Sequence, residues 1–308
     1  MLTTFLSVCP IFLLIVCGYF TKNYFLKDEI IWKSIDKLVY YLFFPSLLVL
    51  EISESNFTGG TPDAILVTLA ATTAVALIIF IVQKIVPVQN DLFTSIFQGG
   101  VRYNSYVFIA LSQSLFGTQG VALSGVFIAY MIVFTNVISV LVLNHYGNGG
   151  KKSLSGMVQS IVKNPLIIGA VLGVVLNMAG IHIGSALKPF LGYLGNAATP
   201  LSLMSVGGGL MLKMHSHKTF AAAYAVTLKL IVMPLIAVVL LNAFNVSGIP
   251  AYVALLYTAV PCAGNAYILS RQMGGDSETM ASVITWTTLV SVISITLIMG
   301  NIPILLNQ

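Results

Sequence analysis

The chain has 308 residues, of which 57% are hydrophobic and 7% charged, and a mean hydropathy of +0.97, whereas soluble domains carry about 25% charged residues. That balance excludes a water-soluble globular domain and requires lipid around the fold. The net charge of +5 gathers in the polar connections, so it reads as membrane topology rather than affinity for nucleic acid.

Ten apolar runs follow one another along the sequence, to be set against the roughly 20 apolar residues that a transmembrane helix needs. The first, Leu2 to Thr21, lacks a basic leader and a small-residue cleavage site and is expected to be a retained span rather than a signal peptide. The second runs from Leu38 to Ile52, approached by a polar, Lys-bearing segment from Trp32; the third covers Ala64 to Val86, the fourth Leu92 to Phe116 and the fifth Val121 to Asn144. Lys151 and Lys152, with the glycines at 147, 149 and 150, form a hinge. Asn164 to Ala179, Pro189 to Leu212, Phe220 to Asn242, Ile249 to Ser270 and Met280 to Leu306 complete the set. The expected fold is therefore an all-α membrane protein of one transmembrane domain, residues 1–308, with no soluble domain attached.

Loop charge orients it. Lys22, Lys27, Lys33, Lys37, Lys84, Lys151, Lys152, Lys163, Lys213, Lys218 and Arg271 fall on one side of the runs and only Lys188 on the other. By the positive-inside rule both termini face outward and the hinge is cytoplasmic. Cys9, Cys17 and Cys262 all lie in apolar runs and read as small hydrophobes, not a disulfide framework.

Two stretches break the apolar pattern. Gly99-Gly100-Val101-Arg102-Tyr103-Asn104-Ser105-Tyr106 interrupts the fourth run and Pro261-Cys262-Ala263-Gly264-Asn265-Ala266-Tyr267 the ninth. Gly, Asn and Tyr stand there where an uninterrupted span would carry Leu or Val, so each reads as a broken helix. Backbone groups released in hydrocarbon must be buried in protein or line a cavity, and paired broken helices in corresponding halves point to a carrier's binding site. The halves echo each other: Pro10, Gly18 and Pro45 recur 155 positions later as Pro165, Gly173 and Pro200, and Asn104-x-Tyr106 recurs 161 positions later as Asn265-x-Tyr267. Five spans per half, in repeats 1–146 and 163–308 joined by the hinge 147–162, make the second copy upside down. The result is an inverted repeat whose fourth and ninth spans cross.

The crossing motifs, together with Phe44-Pro45-Ser46-Leu47, Asn164-Pro165, the run Pro200-Leu201-Ser202-Leu203-Met204-Ser205-Val206-Gly207-Gly208-Gly209 and Gly274-Gly275-Asp276, resemble the auxin efflux carrier family over nearly the whole chain. The resemblance implies ten spans, a transport domain moving against a scaffold, crossovers at spans four and nine, and a homodimer. Plant members export auxin and bacterial members look like carriers of malate, malonate or similar carboxylates. The long cytoplasmic loop of the plant proteins is absent, since only Asn144 to Lys163 joins the halves, which is similar to the short bacterial form.

Intramembrane charge is the sharpest chemical signal. Arg102 lies about 11 residues into the fourth span and Lys229 about 10 into the eighth. Intramembrane cations normally face a cavity, a counter-charge or carbonyls, and placing one costs a few kcal/mol or more. All nine acidic residues, Asp36 among them, fall in loops or at span ends, so a fixed partner is missing and an anionic substrate would supply it. The competing readings are that Arg102 snorkels toward the cytoplasm and that Lys229 pairs with freed carbonyls or sits neutral. Asn104 and Asn265 are candidates to hydrogen-bond a substrate carboxylate, or else to satisfy released backbone; Ser105, Tyr106 and Tyr267 flank them, and Ser46 and Ser202, beside Pro45 and Pro200, are further candidates to reach a cavity. The missing carboxylates at the crossing argue against direct proton exchange there, while a sodium site built from Asn, Ser and Thr oxygens stays open.

His215-x-His217 lies in a Lys-flanked loop and reads as solvated, so no metal site is expected. Gly207 to Gly209 lack the context of a phosphate loop and suit close helix packing. No catalytic constellation and no cofactor motif is present in the sequence. The expected function is a secondary carrier of small organic anions. The alternatives are a ligand-binding membrane sensor on a carrier fold, disfavoured because no output element stands beyond short loops, and a sodium-coupled carrier of a neutral solute.

Overall fold

A computed structural model describes residues 2–55, 60–148, 155–156, 159, 162–211 and 219–306, and most of these residues are helical, with no strand among them. The hinge residues Gly149, Gly150, Lys151 and Lys152, and the loop with Lys213, His215, His217 and Lys218, lie outside the described residues.

Helix α1 spans Leu2–Phe20 and widens into a π turn, Thr21–Phe25. Helix α2, Glu29–Leu38, starts where the Asp28 carboxylate accepts from the Ile30 N–H at 2.8 Å, an N-cap. It runs through a second π turn, Val39–Phe43, into α3, Phe44–Ser53. The Phe44 N–H bonds back five residues to the Val39 carbonyl, just before Pro45, which has no N–H to give. Helix α4 follows at Thr61–Ile85, α5 at Asn90–Val101 and α6 at Ser105–Tyr146. Within α6 the chain turns at Gly117, whose φ of 63° is a conformation that favours glycine, so two helices meet there. The turn falls where the sequence separates its fourth and fifth runs.

The remaining helices are α7, Pro165–Met178; α8, Leu187–Gly208; α9, Thr219–Thr227; α10, Met233–Ala243; α11, Gly248–Ala259; α12, Ala266–Met273; α13, Ser277–Gly300; and the short α14, Ile302–Leu305. A third π turn, Leu228–Val232, joins α9 to α10 and again precedes a proline, Pro234. Among the described residues five helical stretches are long and apolar enough to cross a membrane: Leu2–Phe25, Thr61–Ile85, Asn90–Tyr146, Thr219–Ala243 and Ser277–Gly300. Pro165–Met178 and Gly248–Ala259 are shorter apolar helices.

The helices pack in two groups. In one, α1 lies along α8 and α3 lies between α7 and α8. Small residues make this possible: a Cβ at Gly18 would fall on the Met204 carbonyl, one at Gly207 on the Ile15 carbonyl, and one at Gly173 against Ile52. Close backbone approach through small residues drives helix association in lipid, where burial of apolar surface no longer distinguishes the packed state. The second group holds α4, α5, α9, α10, α11, α12 and α13; α6 packs on α3 and α7 of the first group, and α1 packs directly on α13. Its core is aromatic, with Phe93 and Phe97 against Phe80, and Tyr257 against Tyr103 and Phe108.

Candidate functional site

Both interruptions expected from the sequence are present. Helix α5 ends at Val101; Arg102 is extended (φ −82°, ψ 155°), and α6 starts only after Asn104. Helix α11 ends at Ala259, Val260 is extended (φ −69°, ψ 153°), and α12 begins at Ala266. The two non-helical segments touch: the Asn104 N–H donates to the Pro261 carbonyl at 2.8 Å. Around them the Cys262 N–H is taken by Thr287 Oγ1 at 3.2 Å, and Gln98 Nε2 donates to Ser270 Oγ at 2.8 Å. The Asn104 and Cys262 N–H groups released by the breaks are thus paired within protein, as a lipid setting demands.

A cavity of about 1060 Å³ lies beside this junction, between the two helix groups. Arg102, Tyr103, Asn104, Ser105 and Tyr106 line it from one interruption, and Ala263, Gly264, Asn265 and Tyr267 from the other. Asn136 on α6, Asn164 at the start of α7, Asp36 on α2 and Ser205 on α8 also line it, as do Lys22, Lys33, Lys37 and Arg271. Of the nine site residues named from the sequence, six therefore share one wall.

Arg102 is 5% exposed and extends to the ninth-run interruption. Its Nη2 donates to Asn136 Oδ1 at 2.9 Å and to Asn265 Oδ1 at 3.0 Å, while the buried Nη1 has no partner among the described residues. The ion pairs among those residues are Lys33–Glu29 and Lys188–Glu54, so no carboxylate neutralises Arg102.

The two asparagines of the repeated motif do different work. Asn104 Oδ1 accepts from the Tyr106 and Val107 N–H groups at 3.1 and 3.2 Å, capping α6, so its acceptor is spent on released backbone. Asn265 Oδ1 makes no cap and holds Arg102 instead. Tyr106 stacks on Phe44 with centroids 4.9 Å apart, which keeps its ring at the wall.

Three residues named from the sequence lie away from the cavity. Ser46 Oγ donates to the Leu42 carbonyl and Ser202 Oγ to the Thr199 carbonyl, each a bond within its own helix. Lys229, fully buried in the third π turn, approaches Met233 Sδ at 3.5 Å and lies 5.3 Å from the centroid of the Tyr257 ring. Its ammonium nitrogen thus faces the ring of Tyr257, which also packs on Tyr103 next to Arg102.

Two contributors escaped the sequence reading. Asn136 sits in the fifth apolar run, where a lone amide in a span is itself a signal. Asp36 stands near a span end in the sequence, yet α2 carries it to the cavity, where its carboxylate accepts from the Ser205 hydroxyl.

Long apolar helices, two interrupted runs meeting beside a cavity and a buried cation at their junction define a membrane transporter. Residues 3–299 match the membrane transport protein family, and the chain belongs to it; this is the auxin efflux carrier family that the motifs resemble. The match makes it a transport protein and not an enzyme. Over 304 residues it is 25% identical to an uncharacterized transporter of Methanocaldococcus jannaschii, covering 94% of this chain and 96% of that protein. It is also 25% identical over 302 residues to a protein of Rhizobium meliloti named as a candidate malonate transporter, covering 94% and 92%. An uncharacterized transporter of Escherichia coli is 23% identical over 294 residues, covering 91% of each.

Proposed function

We propose that the protein is a secondary carrier of small organic anions, carboxylates such as malate or malonate, working by alternating access at the junction of the two interruptions. The observation that carries this reading is Arg102: a buried guanidinium at a cavity wall, held by amide oxygens and neutralised by no carboxylate among the described residues. A cation at membrane depth is costly, and a substrate carboxylate meeting it would recover part of that cost. Lys22, Lys37 and Arg271 on the same cavity, set against Asp36 and the Lys33–Glu29 pair, leave its lining net positive and would raise the local anion concentration. The Rhizobium relative's name agrees with this substrate class.

In this reading the chain crosses the cell membrane ten times as two inverted five-helix repeats, 1–146 and 163–308, with both termini outside. The cavity then opens to the cytoplasm, where the positive-inside rule puts its lysines. The group of α1, α3, α7 and α8, stitched by glycine contacts, serves as scaffold and dimer platform for a homodimer. The group bearing the junction rocks against it and carries Arg102 from one side to the other.

The test is uptake by purified protein in proteoliposomes, with labelled malate, malonate, lactate and neutral amino acids under imposed sodium, proton and voltage gradients. Uptake of at least one carboxylate supports the reading. Sodium-driven uptake of a neutral amino acid alone would replace it with a neutral-solute carrier.

A further inference from the structure

Arg102 Nη2 has two N–H groups, and both are taken, one by Asn136 and one by Asn265, each through an amide oxygen. An amide oxygen matches a carboxylate oxygen as an acceptor but carries no charge, so these two bonds fix the guanidinium without neutralising it. A carboxylate at either position would give a shorter, stronger bond. For holding the fold alone, aspartate would therefore be the better residue at 136, and asparagine stands there.

We infer that Asn136 is a positioning residue that orients Arg102 while keeping its charge available to the substrate. Asn136 belongs to α6 and Asn265 to the other interruption, so the pair also sets where the charge stands between these two elements. The guanidinium is pinned on one nitrogen, and Nη1, unpartnered and buried among the described residues, is the donor left for an incoming anion once the cavity wall shifts. The inference rests on the anion-carrier reading above and adds to it the means by which the cation stays free.

A structural role and a charge-preserving role agree on the stability of the Asp variant and order the variants oppositely in transport. If Asn136 only braces the fold, Asn136→Asp is the mildest change and Asn136→Ala the worst, for thermal stability and transport alike. If it preserves charge, Asn136→Asp keeps or raises the melting temperature yet raises KM for the anion by about tenfold or more, because the ion pair competes with the substrate. Asn136→Ser, a neutral acceptor, should stay within a few-fold of wild type.

The experiment measures KM and melting temperature for wild type, Asn136→Ser, Asn136→Ala and Asn136→Asp, using whichever of labelled malate, malonate or lactate the wild type carries. Asn265→Asp places the same charge on the other bond and is read in parallel, so one misfolded variant leaves the question decidable. Wild-type KM in a folded Asp variant at either position overturns the inference and leaves the anion reading standing. Absence of uptake of all three anions by wild type overturns the anion reading itself, and the inference with it.

Discussion

At the scale of single residues, the site shows how one motif can be used in two ways. Asn104 and Asn265 stand at equivalent places in the sequence echo, yet the first caps a helix and the second braces an arginine. Asn104→Ala should therefore cost about 1 kcal/mol of stability, the usual price of a lost N-cap, and Asn104→Asp should restore it; chemical denaturation in detergent measures both. Arg102 and Lys229 looked alike in the sequence, each a cation in an apolar run. What separated them was packing that sequence does not display: a π turn and the Tyr257 ring enclose Lys229 away from the cavity. Asp36 was illegible for a related reason, since a polar, Lys-bearing approach to a span hides a helix that aims one carboxylate inward. Burial holds the Asp36 carboxyl above its ordinary 3.8, with Ser205 and Lys22 pulling it back down. The folded state then keeps a proton that the unfolded chain releases, so stability falls as pH rises from about 4 through the raised value. Melting temperatures of wild type and Asp36→Asn should diverge over that range, the variant losing less; parallel curves would remove Asp36 from this account.

Among elements, the interruptions were readable because Gly, Asn and Tyr are conspicuous in a lipid-facing composition, and because released backbone needs partners that such residues mark. The π turns were not readable, as Pro45 alone announces only a bend. Nor did Pro45 and Pro200 turn out to be counterparts in local geometry: Pro45 follows a π turn, whereas Pro200 lies inside α8. The glycine run 207–209 suits close helix packing, and Gly207 against Ile15 and Gly208 against Trp32 are such contacts. Gly207→Ala should force α1 and α8 apart and lower stability by about 1 to 3 kcal/mol, the range for overpacking. Gly264→Ala, where nothing lies within 4 Å of the added carbon, should leave the melting temperature unchanged. Equal effects of the two substitutions would show that the α1–α8 contact is looser than described.

For the whole molecule, composition and loop charge point to a membrane fold, and the packing divides it into a glycine-stitched group and a group that bears the junction. In the proposed reading the orientation follows from where the lysines lie. Single cysteines in place of Lys27 and Gly184 should separate by side, the second labelling from outside in intact cells and the first only after permeabilisation. The reverse pattern would put the cavity mouth on the outer face. The central claim is that the charge of Arg102 recruits an anion to the junction, and the most direct test is carboxylate uptake into proteoliposomes by wild type, Arg102→Lys and Arg102→Gln. Lysine keeps the charge but loses the guanidinium fork, and glutamine keeps hydrogen bonding but loses the charge. The account predicts uptake by wild type, weaker uptake with lysine and near-complete loss with glutamine in protein that remains folded; wild-type uptake by Arg102→Gln would contradict it.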